Sequence, residues 1–514
     1  MAKPPDYGII YNWDGAPHAY DAVPQTMDAF LERVYAPLED TQVGALFWCV
    51  GEHHARWESA LLEQLGDVHG HRYEDVYQYL IGENIRAMSE RGEDPHAGII
   101  ERGRELGIAV YASVRMNDNH FGGKQPDELA DAHDSELTRM RVEHPEWTLG
   151  DQTTAWYAAS WDMSKPEVRA HRFAHVKEVC ERYDWDGVEL DWQRHAFHLP
   201  EDDAYRLRYT LTDLQRAIRQ MTEAIGQQRG RPFYIAARVA GSLEMCRRIG
   251  YDVAAWIDEG LVDMLIPAGN AGTDPACEVA ELKAMCVGTD VVVYPGFDSG
   301  VPGMTDGPEA GPMKLAMRNR GIASRHWWSG ADAVYVFNWH GKRETHRELL
   351  NQIGSAETLQ GTDKIFAATH RHLLSAGEWL GAYRRDRILG EAPGALKPTL
   401  SGDGPTATIE VGDDTAENRP SEVELRVRLS QWVKGDVVAV EWDGQRLSEG
   451  RSAHCKVADP YDISGVTSAV WLCFDLPAAR VGQGRHEVKV ILVERHPRMG
   501  VDLVLTDVEL VVRY

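Results

Sequence analysis

Two carboxylates separated by a single residue in a short apolar run are the feature of this sequence best suited to chemistry. The run reads Tyr183-Asp184-Trp185-Asp186-Gly187-Val188-Glu189-Leu190-Asp191-Trp192-Gln193-Arg194-His195. Side chains alternate along a strand, so Glu189 and Asp191 share a face. Like charges held that close push one pKa up, so that one group keeps a proton while the other is an anion. Such a pair suits acid–base hydrolysis. The competing reading is an ion-paired strand end that only staples the fold. Arg194 or Arg115 is placed to hold the anion.

Further candidates follow other apolar runs. Asp118 lies among Arg115, Asn117 and His120; its plainer reading is a turn-stabilising residue in Asn117-Asp118-Asn119. Glu52 and Asp298 complete the set from which a second catalytic carboxylate is drawn. Asn12, His53, His195, Arg238, Asn270, Tyr294 and Asn338 occupy equivalent places and are candidates for substrate contacts. Trp48, Trp161, Trp192 and Trp339 offer flat faces for sugar rings, or else core. Arg115, Arg194 and Arg238 either grip an anionic sugar through their planar forks or balance the nearby carboxylates. His53, His54, His120, His195, His198 and His340 form a second constellation, which together with the carboxylates has the chemistry of a divalent-metal site. No H-x-H follows the first run and no H-E-x-x-H occurs, so no metal or other cofactor is expected.

Elements that converge on one end must gather these residues. Eight β-type runs, at 8–13, 44–49, 108–114, 187–192, 233–239, 262–267, 291–296 and 333–339, alternate with amphipathic stretches such as 27–35, 97–106, 166–183, 203–225 and 243–259. That alternation predicts a (β/α)8 barrel, whose active sites form at the C-terminal ends of its strands. No glycine-rich phosphate loop follows the first run, as a doubly wound open sheet would favour. A helix is expected over 366–385. Glycine and proline then cluster at 390–405, and alternating runs at 407–411, 422–429, 437–442, 469–476, 486–493 and 501–512 predict a small all-β sandwich. The expected domains are a barrel over 1–388 and an accessory sandwich over 389–514.

The segment 183–192, with Ser160-Trp161-Asp162-Met163-Ser164-Lys165-Pro166-Glu167-Val168-Arg169 before it, resembles the glycosyl-hydrolase-like barrel superfamily. There a D-x-x-x-P-E-V-R stretch opens a helix and the next strand ends D-G-[ILV]-x-[LF]-D. The run 331–339 also resembles the last strand of such barrels. The resemblance implies that Asp191 is the nucleophile or principal carboxylate. Two departures limit it. Gln193 stands where chitinase-like barrels place their acid, and no Asn-Glu pair closes the fourth run.

Composition narrows the partners. A formal net charge of -26 disfavours nucleic acid and anionic membranes. No run approaches the roughly 18 apolar residues that read as a membrane span. The opening Met1-Ala2-Lys3-Pro4-Pro5 has no apolar signal core, so the expected location is the cytoplasm, or outside it if a leader has been removed. Seven scattered cysteines indicate no disulfide framework. Sixteen Trp and nineteen Tyr against ten Phe suit a sugar site. The expected function is therefore a glycoside hydrolase acting on an oligo- or polysaccharide, with an anionic sugar left open, by a two-carboxylate mechanism. The alternatives are a non-catalytic carbohydrate-binding barrel and a metal-dependent hydrolase or lyase using the histidines. Assembly as a homo-oligomer is open.

Overall fold

The computed structural model describes residues 3–13, 20–51, 54–119, 122–132, 134–269, 273–298, 301, 309, 311–339, 344–368, 394–398, 402–448, 450–455 and 469–514. Its first sheet is parallel and runs through β1 (Ile9–Trp13), β2 (Val43–Cys49), β3 (Ala109–Arg115), β4 (Gly187–Asp191), β5 (Tyr234–Ala240), β6 (Met264–Ala268), β7 (Val292–Val293), β8 (Gly296–Asp298) and β9 (Val334–Phe337). β7 pairs with β6, β8 pairs with β9, and β9 returns to β1. β7 and β8 are two halves of the seventh expected strand. Pro295 lies between them and has no N–H to give to the ladder. The Tyr294 N–H still bonds Leu265 O, and the Tyr335 N–H bonds Pro295 O, so the ring closes as an eight-fold barrel.

Parity separates the faces of the strands. Ile10, Phe47, Tyr111, Ala236, Ile266, Tyr294, Tyr335 and Phe337 pack together inside the ring. Their neighbours Ile9, Leu46, Val110, Ile235, Leu265 and Val336 pack outward, in the core shared with the helices. Local signals set the helix ends. Asp94 caps Pro95–Leu106, with proline in its first turn and Gly107 at φ 70 after it. The expected helix 243–259 is two, Leu243–Ile249 and Val253–Asp258. Gly250 at φ 88 ends the first, and the Asp252 side chain caps the second.

Two antiparallel sheets follow. One contains β10 (Lys364–Ala368), β11 (Gly394–Leu396), β13 (Glu422–Ser430), β16 (Arg451–Cys455), β17 (Ala469–Asp475) and β19 (Leu503–Arg513). The other contains β12 (Thr406–Val411), β14 (Val437–Trp442), β15 (Gln445–Arg446) and β18 (Gly484–Glu494). Ile409, Val440 and Val488 of the second sheet share a core with Leu425, Leu505 and Leu510 of the first, which makes the pair a sandwich as the alternation predicts. The expected helix over 366–385 is corrected at its start. Residues 366–368 lie in β10, antiparallel to β19, where Ile365 packs on Val511 and Phe366 enters the sandwich core. The rest of that segment, and the expected domain boundary at 388/389, lie outside the described residues.

The helix Gly311–Trp328 joins barrel to sandwich. Glu509, fully buried on β19, receives Arg318 at 2.6 Å and Lys314 at 3.0 Å. Gly321 lets the helix lie on β10, since a Cβ there would stand 2.2 Å from Ile365 O.

Candidate active site

Strand register builds the site. Arg115, Asp191 and Arg238 are direct partners on β3, β4 and β5, and Ser113 partners Glu189 one inward-facing level below. Glu189 and Asp191 follow each other on the inner face, with Cα atoms about 6.6 Å apart at the strand rise. Arg238 Nη1 reaches the two Asp191 oxygens at 3.1 and 3.2 Å, while its Nη2 donates to Gly269 O at 2.9 Å. The backbone N–H groups of Gln193 and Arg194 donate to Asp191 Oδ1 at 3.1 and 2.9 Å. Both side chains are buried, and the Arg238 guanidinium lies 4.1 Å over the Phe337 ring.

Glu189 is fully buried without an arginine of its own. Asn12 Nδ2 donates to its Oε2 at 2.9 Å and to Ser113 Oγ at 3.0 Å. Burial first, and then the Asp191 charge, push the Glu189 carboxyl up to about 7; Ser113, Arg238 and Tyr335 pull the other way. Two carboxyls on one face thus sit in contrasting surroundings, one ion-paired and one holding its proton towards neutrality.

A second charged group lies on the loop after β3. Arg115 donates to Asp118 Oδ2 at 2.6 Å, and His195 Nδ1 is 3.1 Å from Asp118 Oδ1. The Asn119 N–H donates to that same Nδ1 at 3.0 Å. This bond suits a neutral ring with its proton on Nε2, whereas protonation of Nδ1 favours Asp118 instead. His195 and Asn338 hold φ of 56° and 57°, left-handed values uncommon outside glycine. Asn338 Nδ2 is 3.5 Å from Asp298 Oδ2, and the Asp298 charge is felt at Arg238.

Other expected contacts are placed elsewhere. Trp48 stacks on Trp13 and meets Phe30 edge-on, and Trp192 packs on Trp256 and Tyr251. Trp339 stacks on His346, and Trp161 lies under Arg141. All four are buried outside the ring, in the helix-facing core, so they are structural rather than sugar platforms. Tyr294 faces inward but at the closed end, where its hydroxyl donates to Pro5 O at 3.2 Å. Asn117 holds loops together: its amide donates to Trp161 O and Phe197 O, and its oxygen accepts from the Trp161 N–H. Arg194 is half-buried, its guanidinium 5.5 Å from the centre of the Phe337 ring. Glu52, His53, His120, Asn270 and His340 lie outside the described residues. His198 is core, its Nε2 2.9 Å from Trp192 O. Among the described residues, no three His, Cys, Asp or Glu side chains gather as metal ligands would, and no helix is long and apolar enough to cross a membrane.

Ser113, Tyr335 and Phe337 belong to the site although their residue types do not single them out. Parity was the available signal: Ser113 is two before Arg115, and the other two are alternate positions of β9.

No family model matches this sequence, and no curated protein does. Solved structures match at low identity. Alpha-L-fucosidase isoenzyme 2 from Paenibacillus thiaminolyticus is 16% identical, with a TM-score of 0.39 over 69% of this chain and 49% of its own. A GH36 alpha-galactosidase from Geobacillus stearothermophilus, in complex with stachyose, is 10% identical, with a TM-score of 0.36 over 95% of this chain and 56% of its own. The alpha-galactosidase from Thermus thermophilus is 13% identical, with a TM-score of 0.34 over 71% of this chain and 63% of its own. The chain therefore spans about half to under two thirds of the length of these solved chains, all three of which are named as glycosidases.

Proposed function

We propose that this protein is a glycoside hydrolase that cleaves an O-glycosidic bond with Asp191 and Glu189. The supporting observation is the same-face pair in unlike surroundings: Asp191 against Arg238, and Glu189 buried with its pKa up to about 7. In this reading Glu189 gives its proton to the leaving oxygen as the glycosidic bond breaks. Asp191 faces the positive charge that develops on the sugar ring. Water supplies the hydroxyl that ends on the anomeric carbon, and its remaining proton restores Glu189. Asn12 and Ser113 orient Glu189, while Arg238 positions Asp191. Arg115 and Arg238 engage Asp118 and Asp191, which supports a neutral sugar over an anionic one.

The test is a screen of aryl glycosides and polysaccharides with the parent, Asp191→Asn and Glu189→Gln, each with and without chelator. Turnover that collapses in Asp191→Asn and ignores chelator is the expected result. Equal turnover by parent and Asp191→Asn moves the chemistry elsewhere. Loss of turnover in chelator favours the metal-dependent reading, and binding without turnover favours a carbohydrate-binding barrel.

A further inference from the structure

Away from the barrel mouth, a cleft of about 360 Å³ opens where the barrel meets the sandwich. Its walls are the end of the helix Gly311–Trp328, the turn around 356–361 and the segment 412–418, with Gln483 and Tyr514. We propose that this cleft is a second saccharide-binding site, taking one or two pyranose units of a neutral chain. Its volume falls in the roughly 300–1,000 Å³ range of small-molecule clefts.

The lining chemistry selects the ligand. Trp327, Trp328 and Tyr514 are aromatic, and Trp328 remains 41% exposed, leaving an indole surface open to solvent. Such a ring suits the C–H face of a pyranose. Gln360, Asn418 and Glu417 border the same space, and among the described residues their side chains make no hydrogen bond. A planar amide can donate to one hydroxyl and accept from its neighbour at once, and a carboxylate accepts from both. The wall behind them is fixed. Asp413 takes Lys364 at 2.8 Å and the Tyr514 hydroxyl at 2.7 Å, and Asp414 Oδ1 accepts the Ala416 and Glu417 N–H groups, each at 3.0 Å.

Other ligand classes fit less well. Among the described residues no Lys or Arg lines the cleft, and Asp414 and Glu417 oppose a phosphate or carboxylate. An organic cation would meet those carboxylates but offer no acceptor to the Gln360 and Asn418 amides. A neutral polyol meets both.

The experiment uses the full chain in an Asp191→Asn background, so that no probe is consumed. Cellohexaose, maltohexaose, laminarihexaose and xylohexaose are titrated by calorimetry and tryptophan fluorescence, with spermine as the cationic probe. At least one hexaose is expected to bind, with Trp328→Ala weakening that binding roughly tenfold or more. Asn418→Ala, which leaves the packing of the helix untouched, is expected to weaken it by a smaller factor. Trp328→Ala in the parent is expected to leave turnover of small aryl glycosides unchanged. The proposal is overturned if no hexaose binds, if binding is unaltered in both variants, or if only spermine shows Trp328-dependent binding. Trp328-dependent binding by a parent inactive on every glycoside would sink the barrel-mouth reading and leave this site standing.

Discussion

Glu189 holds its proton because burial disfavours its charged form and Asp191 stands on the same face. Activity that needs this proton falls as pH rises through about 7. Glu189→Gln is expected to lower kcat by roughly 10²–10⁴-fold on substrates with poor leaving groups and to remove that alkaline limb. Substrates with a 2,4-dinitrophenyl leaving group, which departs unprotonated, are expected to lose far less. A pH–rate profile on both substrate types checks this, and an unchanged limb in the variant assigns the titration to another group. The same shift acts on stability. The unfolded chain releases this proton near the ordinary glutamate value, and the folded chain only near 7. The folded state therefore binds more protons between these values, and stability falls as pH rises through that window. Relative to the parent, Glu189→Gln gains with pH, by roughly 3 kcal/mol at most above 7; urea melts at pH 5 and pH 8 read the difference. At this scale the carboxylate pair was legible because two same-parity acids need only a strand. The tryptophans were not, because residue type does not report facing. Parity places Trp48 and Trp192 outward, but Trp339 shares the parity of inward Phe337 and is turned out beyond Asn338, with its φ of 57°.

Strands convert residue types into a site through register. Arg115, Asp191 and Arg238 stand abreast only because β3, β4 and β5 pair as they do. Arg238→Met leaves Asp191 buried opposite an apolar chain and is expected to cost about 3–5 kcal/mol. Adding Asp191→Asn is expected to restore much of that loss. A double-mutant cycle by denaturant melts measures the coupling, and simple additivity would show that the pair is not an energetic unit. The eight runs were legible from apolar clustering and turn residues, whereas the interruption at Pro295 and the split helix around Gly250 were marked in the sequence by the residues that cause them. Register was not legible: hydrophobic pattern fixes which face a residue takes, but not its level against the next strand.

The two parts of the molecule meet along one helix. Lys314 and Arg318 place two cations on the buried Glu509, and Gly321 presses against the β10 backbone. Gly321→Ala is expected to destabilise the protein by about 1–3 kcal/mol, since backbone rather than a pliable side chain must move. Calorimetry should show the cost as a lower transition temperature; an unchanged one would mean that the helix lifts freely from the sheet. The barrel-then-sandwich order was legible from the change of period. The early departure of β10 was not, because a five-residue apolar strand reads equally well as the start of a helix.

That strand imposes an order on biosynthesis. β19 lies between β10 and β13 in its sheet, yet its residues emerge well over a hundred positions after β10. At about 5–20 residues per second, every β-strand of the barrel has left the ribosome several seconds before residues 503–513 do. Throughout that interval the apolar edge of β10 and the face of the helix above it await a partner not yet made. The newborn chain therefore passes through a stage with a complete set of barrel strands and an open seam, the stage at which a chaperone has most to shield.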